Sequence, residues 1–283
     1  MAELVYAYAS GAYVERLGSS NLPMPTNMNI EHKQFAINLA KEAGEIIKAN
    51  FVMGMKKEWK SNDTPLTETD ITINQLIIDS VKKKFPAHGI LAEEGKDLSG
   101  EEEYIWVGDP IDGTTPFSHG YPTFAFSLAL TKNGKSILGV IYDPVLDRLA
   151  VAEKGGGAFL NGKQITVSKA NSFKNVLVNL DTDFELVSLR EPLIKEGAFT
   201  TTLYSAVYAS LLVAAGEFVA QIFEYKNPWD GAAVKIIVEE AGGKVTDIYG
   251  NEQRYDKEIN GFVASNGILH DKIISLIRQI KAK

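Results

Sequence analysis

The sequence predicts a mixed α and β protein with an antiparallel-sheet first half and a smaller α/β second half. Three observations predict it. Apolar residues recur at helical spacing in two segments before Pro86. Strand-like apolar runs then follow one another with only short turns between them, which means antiparallel neighbours rather than βαβ crossovers. Beyond residue 171, strand-like and helix-like segments alternate.

The elements are expected in this order. A first helix over 30–51 places Phe35, Leu39, Ala43, Ile46, Ile47 and Phe51 on one side. A polar stretch with Pro65 leads to a second helix, with Ile73, Leu76, Ile77, Val81 and Phe85 on one face and Pro86 closing it. After the acidic stretch 93–103 come the strands YIWVG, TFAFSLALT, ILGVIYD and RLAVAE, with turn signals at Asn133-Gly134 and Asp143-Pro144. The run KGGGAFLNGKQITVS, 154–168, lacks the Lys-Ser/Thr of a phosphate-binding loop and reads as a glycine bend into a hairpin turned by Asn161-Gly162. The second half reads as strand VLVNL, helix 183–196, a strand around Thr200, helix 205–215, strand FVAQIFE, helix 230–241, strands KVTDI and GFVAS, and helix 267–281. No repeat or linker interrupts 28–171 and 172–283, so two domains are expected to pack as one rigid body behind a loosely ordered arm, 1–27. Met28 is a candidate alternative start.

Composition narrows the function. With 45% hydrophobic and 23% charged residues, the chain is an ordinary globular one. A net charge of -7 argues against a nucleic-acid surface or a basic membrane anchor, and no stretch is apolar enough to span a bilayer. The first 28 residues lack the basic-then-apolar pattern of a secretory signal. The absence of cysteine excludes disulfides, thiolate ligands and cysteine nucleophiles, and fits a reducing cytoplasm.

The segment GDPIDGTTPF, 108–117, carries the chemistry. Asp-Pro-x-Asp-Gly alone is a good turn sequence. Here, however, an apolar strand leads into it, so Asp109 and Asp112 fall at a strand's carboxyl end, and Gly113-Thr114-Thr115 could open a helical turn whose amides face an anion. Glu93 and Glu94 after Ile90-Leu91, Asp70 in PLTETD and Asp230 after Pro228-Trp229 stand at other element ends. Oxygen donors without His or Cys suit hard cations such as Mg²⁺. His119, near this segment, reads as a surface or core histidine rather than a catalytic one.

LAEEG (91–95), WVGDPIDGTTPF (106–117), GGGAFLNGKQITVS (155–168) and NPWDGAAVKIIVEEAGGKVTD (227–247) together resemble the inositol monophosphatase family, over residues 29–283. These are Mg²⁺-dependent, lithium-sensitive phosphatases that share a fold with fructose-1,6-bisphosphatase. The resemblance implies a layered α-β-α-β-α sandwich of the sugar-phosphatase type, a homodimer, and two or three Mg²⁺ per site. It makes Glu93, Asp109 and the Ile111 carbonyl ligands of a first metal, with Glu93 also serving a third. Asp109, Asp112 and Asp230 would hold the second. Asp70 would pair with Thr114 to activate water, and the Gly113, Thr114 and Thr115 amides would receive the phosphate. Leaving-group contacts would come from Ser205, Glu224 and Lys226. Replacing Asp112 by Asn is expected to abolish turnover and spare the fold.

Two departures from the family keep the substrate open. Pro116 stands where many members have Asn, and Phe223 stands seven residues before Asp230, where inositol-specific members have Glu; Glu224 sits one step closer. The expected reaction is hydrolysis of a small phosphorylated metabolite, inositol-1-phosphate or a related polyol or sugar phosphate. Histidinol phosphate, fructose-1,6-bisphosphate and adenosine 3′,5′-bisphosphate are alternatives on the same scaffold. A non-catalytic phosphosugar- or nucleotide-binding relative is the non-enzyme alternative.

Overall fold

The computed structural model describes residues 27–61, 64–95, 102–182 and 185–282. Of the expected arm, 1–27, residues 1–26 lie outside these, as does part of the acidic stretch before Tyr104, while Asn27 begins a helix. The chain divides into two compact units, residues 1–32 and 33–283. Of the first, the described part is the start of helix α1 (Asn27–Asn50).

In the second unit, hairpin strands β1 (Glu58–Trp59) and β2 (Pro65–Leu66) precede helix α2 (Glu68–Lys84). Thr67 and Asp70 form a reciprocal capping box at the start of α2. A seven-stranded sheet follows: β3 (Gly89–Ala92), β4 (Tyr104–Asp112), β5 (Ala125–Lys132), β6 (Lys135–Asp143), β7 (Arg148–Glu153), β8 (Gly157–Leu160) and β9 (Lys163–Gln164), hydrogen-bonded in chain order. All pairs are antiparallel except β3 with β4, which run parallel. A five-residue helix, α3 (Thr114–Ser118), interrupts the chain between β4 and β5.

The second half builds a five-stranded sheet in the order β11-β10-β12-β14-β13. Its strands are β10 (Leu177–Asp181), β11 (Phe199–Thr201), β12 (Phe218–Phe223), β13 (Lys244–Thr246) and β14 (Phe262–Ser265). Its helices are α4 (Arg190–Lys195), α5 (Ala206–Ala214), α6 (Pro228–Glu240) and α7 (His270–Lys281). The expected helix 183–196 is a 3₁₀ turn, Glu185–Leu189, running into α4. Pro192 sits in the first turn of α4, where its missing N–H is tolerated.

Three apolar cores separate five layers. Leu39, Ile47, Ile73 and Ile77 from α1 and α2 meet Trp106 and Leu128 on one face of the large sheet. On its other face Val107 and Ile141 pack with Ala232, Ala233 and Ile236 of α6 and Val207 of α5, and these reach Phe262 of the small sheet. Beyond that sheet Leu193, Ile273 and Ile277 cover Val178 and Ile222. The result is the expected helix–sheet–helix–sheet–helix sandwich. It also explains why β4 and β5 read as unbroken apolar runs: both faces of these strands are covered.

Two local features aim the site. β4 is longer than YIWVG and includes both aspartates. Between the pairs Asp109–Ser127 and Asp112–Ala125 it carries one extra residue, a bulge at Pro110-Ile111, where proline cannot donate to the ladder. Second, α6 passes close over β6 at Gly139, where a Cβ would lie 2.5 Å from Ile236 Cγ2 and 3.0 Å from the Ala233 carbonyl. A Gly139→Val variant is expected to lose about 1–3 kcal/mol of stability through overpacking. Urea denaturation with an unchanged m-value checks this; wild-type stability would show that α6 can retreat without cost.

Candidate active site

Asp109 and Asp112 come from the bulged end of β4, and Asp230 from the first turn of α6, which Pro228 opens. One carboxylate oxygen of each lies within 4.8 Å of the others. All three are nearly inaccessible, at 2%, 5% and 6% exposure. The bulge fixes Asp109 further, since its Oδ1 accepts the Ile111 N–H at 2.9 Å.

Asp112 also clasps the second half. Its carboxylate accepts the Ser205 hydroxyl and the Ala206 and Val207 N–H groups, the latter two at 3.2 and 2.9 Å. It therefore sits on the N-terminus of α5, where helix dipole and free amides favour a negative charge. Ser205 is the N-cap of α5 and is buried.

Asp70 and Thr114 meet as expected, with Thr114 Oγ1 3.1 Å from Asp70 Oδ1. The same hydroxyl lies 3.1 Å from the Ile111 carbonyl. Asp70 Oδ2 accepts the Thr67 N–H at 2.8 Å, so the capping box that starts α2 also orients this carboxylate. Gly113, the N-cap of α3, holds φ 90°. A Cβ there would stand 2.9 Å from both Ser205 Cβ and the Thr123 carbonyl, so glycine is required twice over. Pro116 occupies the first turn of α3, where no donor is needed, so its departure from Asn is compatible with the helix.

Glu93 and Glu94 follow β3, and Lys60 from the hairpin bonds both, at 2.9 Å to Glu93. The backbone N–H of Glu94 reaches Asn74 Oδ1 at 3.3 Å.

These positions coincide with a family pattern: the sequence model of the "Inositol monophosphatase family" matches residues 29–282. The chain belongs to the inositol monophosphatase family. It is a phosphatase of that fold. Among similar proteins, a Thermotoga maritima fructose-1,6-bisphosphatase/inositol-1-monophosphatase is 34% identical over 254 residues, covering 89% of this chain and 97% of the relative. A Chlorobaculum parvum histidinol-phosphatase is also 34% identical, over 86% of this chain and 95% of its own. The solved structure of a Thermotoga maritima IMPase superposes with a TM-score of 0.82 at 34% identity, covering 89% of this chain and 98% of that one.

The remaining predicted residues of this family member fall in different places. Thr115 is exposed, and its carbonyl accepts from His119 Nδ1–H at 2.8 Å; His119 itself is a surface residue. Glu224 directly follows β12. Its Oε1 lies 3.3 Å from Lys281 and its Oε2 is buried without a partner, so its contact in the fold is α7 rather than the acid cluster. Lys226 is exposed and contributes its carbonyl to Ile259 N–H at 2.9 Å. Phe223 is a core residue, its ring 5.0 Å from that of Phe262. The glycine run 155–157 offers its amides to a side chain: Glu240 accepts the Gly155 and Gly157 N–H groups at 2.7 and 2.8 Å. Asn161 and Gly162 turn the hairpin with φ 49° and 76°.

Two residues at the site were not anticipated. Asp181 ends β10, and its charge acts on Asp112. An acid at the carboxyl end of the run VLVNL is the same signal that singled out Asp109. Lys60 gave no such signal, because the contact depends on how the hairpin folds over β3.

Electrostatics follow from burial and crowding. Burial pushes Asp112 up to about 7, aided by Asp181 and opposed by its bonds from Ser205, Val207 and Tyr208. Asp109 and Asp230 are held well above the carboxylate range by burial, with Glu93 and Asp230 acting on Asp109, and Asp112 and Glu93 on Asp230. Burial also raises Asp70 and Glu93, and burial with Glu93 nearby raises Glu94 to about 7. Burial pulls the Lys60 ammonium down, but Glu93 and Glu94 outweigh it and hold it above its usual value.

Raised carboxylates bind more protons in the folded than in the unfolded protein between their ordinary and raised values. Their stability contribution is present below about pH 4 and lost as pH climbs toward 7. In chelator, stability is therefore expected to fall between pH 4.5 and 7.5, by about 1.4 kcal/mol per pH unit for each such group. Asp109→Asn should flatten that slope. Asp112→Asn, by contrast, should destabilise by about 1–3 kcal/mol, since an amide cannot satisfy the α5 donors. The fold itself is still expected to form, because that cost is below a domain's usual stability of about 5–15 kcal/mol. Denaturation curves across pH decide both points; a stability rising with pH in chelator contradicts the account.

Proposed function

We propose that the site hydrolyses the phosphate monoester of a small polyol or sugar, with inositol-1-phosphate the first substrate to try. The observation that carries this is the meeting of three buried carboxylates from both halves beside a hydroxyl–carboxylate pair. Two or three Mg²⁺ would be held by Glu93, Asp109, the Ile111 carbonyl, Asp112 and Asp230. The donors fit such an ion: they are oxygens throughout, and burial and neighbouring acids raise Asp109 and Asp230, a crowding that a cation would relieve. Bound there, Mg²⁺ supplies charge to the phosphate and leaving oxygens and acidifies water.

The chain's own groups do the rest. Thr114 Oγ1 has one proton and two acceptors at 3.1 Å, Asp70 and the Ile111 carbonyl. With the Ile111 carbonyl serving as a metal donor, the Thr114 hydroxyl would donate to Asp70, and its oxygen would accept from water. Burial raises Asp70 above the usual carboxylate range, which strengthens it as a base. The first amides of α3, which have no intrahelical partner, receive the phosphate at Gly113, Thr114 and Thr115. Ser205 acts from behind, by holding Asp112. Among the described residues, no helix is long and apolar enough to cross a membrane. A cytoplasmic homodimer is the setting we infer from the family resemblance and the cysteine-free sequence.

Phosphate release from inositol-1-phosphate, fructose-1,6-bisphosphate, histidinol phosphate and adenosine 3′,5′-bisphosphate, with and without Mg²⁺, tests the reading. Activity should require Mg²⁺, fall with Ca²⁺ and with Li⁺ in the millimolar range, and be greatest on a polyol or sugar ester. Thr114→Val and Asp230→Asn should each lower kcat at least ~100-fold. Full activity in excess chelator overturns the metal assignment, and a preference for histidinol phosphate overturns the polyol one.

A further inference from the structure

Five described residues other than glycine hold positive φ. Four are Asn or Asp, which tolerate it: Asn133, Asp147, Asn161 and Asn175. The fifth is Tyr204, at φ 56°. A tyrosine gains nothing intrinsic from that conformation, so the surroundings must impose it.

They do so residue by residue. Thr202 Oγ1 donates to the Leu180 carbonyl at 2.8 Å, the Leu203 N–H to Asn179 Oδ1 at 3.0 Å, and the Tyr204 N–H to Asp181 Oδ1 at 3.0 Å. The Leu203 carbonyl accepts from Thr123 Oγ1 at 3.0 Å, and Ser205 is tied to Asp112. Asn179 and Gln221 brace Asp181 Oδ2, each at 2.9 Å. Asn179, Asp181 and Gln221 are all buried. A buried polar network thus holds the strap 202–205 in a strained shape. The Tyr204 ring meanwhile contributes little to the core, being 55% exposed. It stands between Ser205, which bonds Asp112, and Leu203, whose carbonyl Thr123 grips beside Gly113.

We propose that Tyr204 is a specificity residue whose exposed ring forms a flat wall for the leaving group. The site then favours phosphate esters of cyclic polyols and sugars over open-chain ones. This rests on the phosphomonoesterase reading above and narrows its substrate class. An aromatic face covers the C–H face of a ring in one contact without ordering rotatable bonds. An open chain offers no such face and loses more conformational freedom on binding.

The test compares inositol-1-phosphate with β-glycerophosphate for wild type, Tyr204→Gly and Tyr204→Phe at saturating Mg²⁺. Tyr204→Gly should raise Tm, because glycine adopts this φ freely. It should lower kcat/KM for inositol-1-phosphate about tenfold, mainly through KM, the size of one lost apolar contact. β-Glycerophosphate should change less than about twofold by the same reasoning, and Tyr204→Phe should keep the wild-type preference. An equal fall on both substrates makes Tyr204 a support of the strap and overturns the proposal. So does an unchanged preference, or a lower Tm in the glycine variant. If wild type releases phosphate from neither ester, the polyol-phosphate reading itself falls and takes this proposal with it.

Discussion

Three carboxylates within 4.8 Å of one another, buried between two sheets, set the terms for the rest of the molecule. At an effective dielectric of 20, each ionised pair at that distance repels by about 3–4 kcal/mol. A domain's whole stability is about 5–15 kcal/mol. The site therefore cannot carry its full charge unaided, and its acids hold protons or cations instead. The large apolar core around α5 and α6, between the two sheets, holds the elements that carry the carboxylates together against that repulsion.

Several local features follow from the same demand. The bulge at Pro110-Ile111 offsets Asp109 from Asp112, so that both belong to one site despite lying three residues apart on a strand. Gly139 lets α6 approach β6, which brings Asp230 within reach. The N-terminus of α5 absorbs part of the charge on Asp112, and Lys60 part of that on Glu93 and Glu94. Both halves of the chain are thereby joined through the site. The strain at Tyr204 belongs to the same assembly, since the bonds that impose it also position Ser205 beneath Asp112.

Much of this was legible in the sequence because the elements have clean periods and strong punctuation. Pro86, Asn133-Gly134, Asn161-Gly162 and Pro228 all end or open elements where the sequence places them. The acids of the cluster announced themselves as carboxylates at element ends. What was hidden depends on tertiary geometry. The bond from Asp112 to α5 joins residues over ninety positions apart, and no local pattern signals it. The contact of Lys60 with Glu93 depends on a two-stranded hairpin too short to show a period. Glu224 is a further case of a contact hidden from the sequence: it stands one step from the position of the family's glutamate, and its bond to Lys281 joins it to a helix more than fifty residues away.

The central claim is that the buried acids form a cation site kept partly protonated by its own crowding. Calorimetric titration of Mg²⁺ at pH 6.5, repeated in buffers of different ionisation enthalpy, counts the protons displaced. The account predicts net release of at least about one proton per site at that pH, since Asp112, raised to about 7, and Asp109, held well above the carboxylate range, must ionise to bind the metal. Saturable Mg²⁺ binding with no proton release, its heat the same in every buffer, would contradict it.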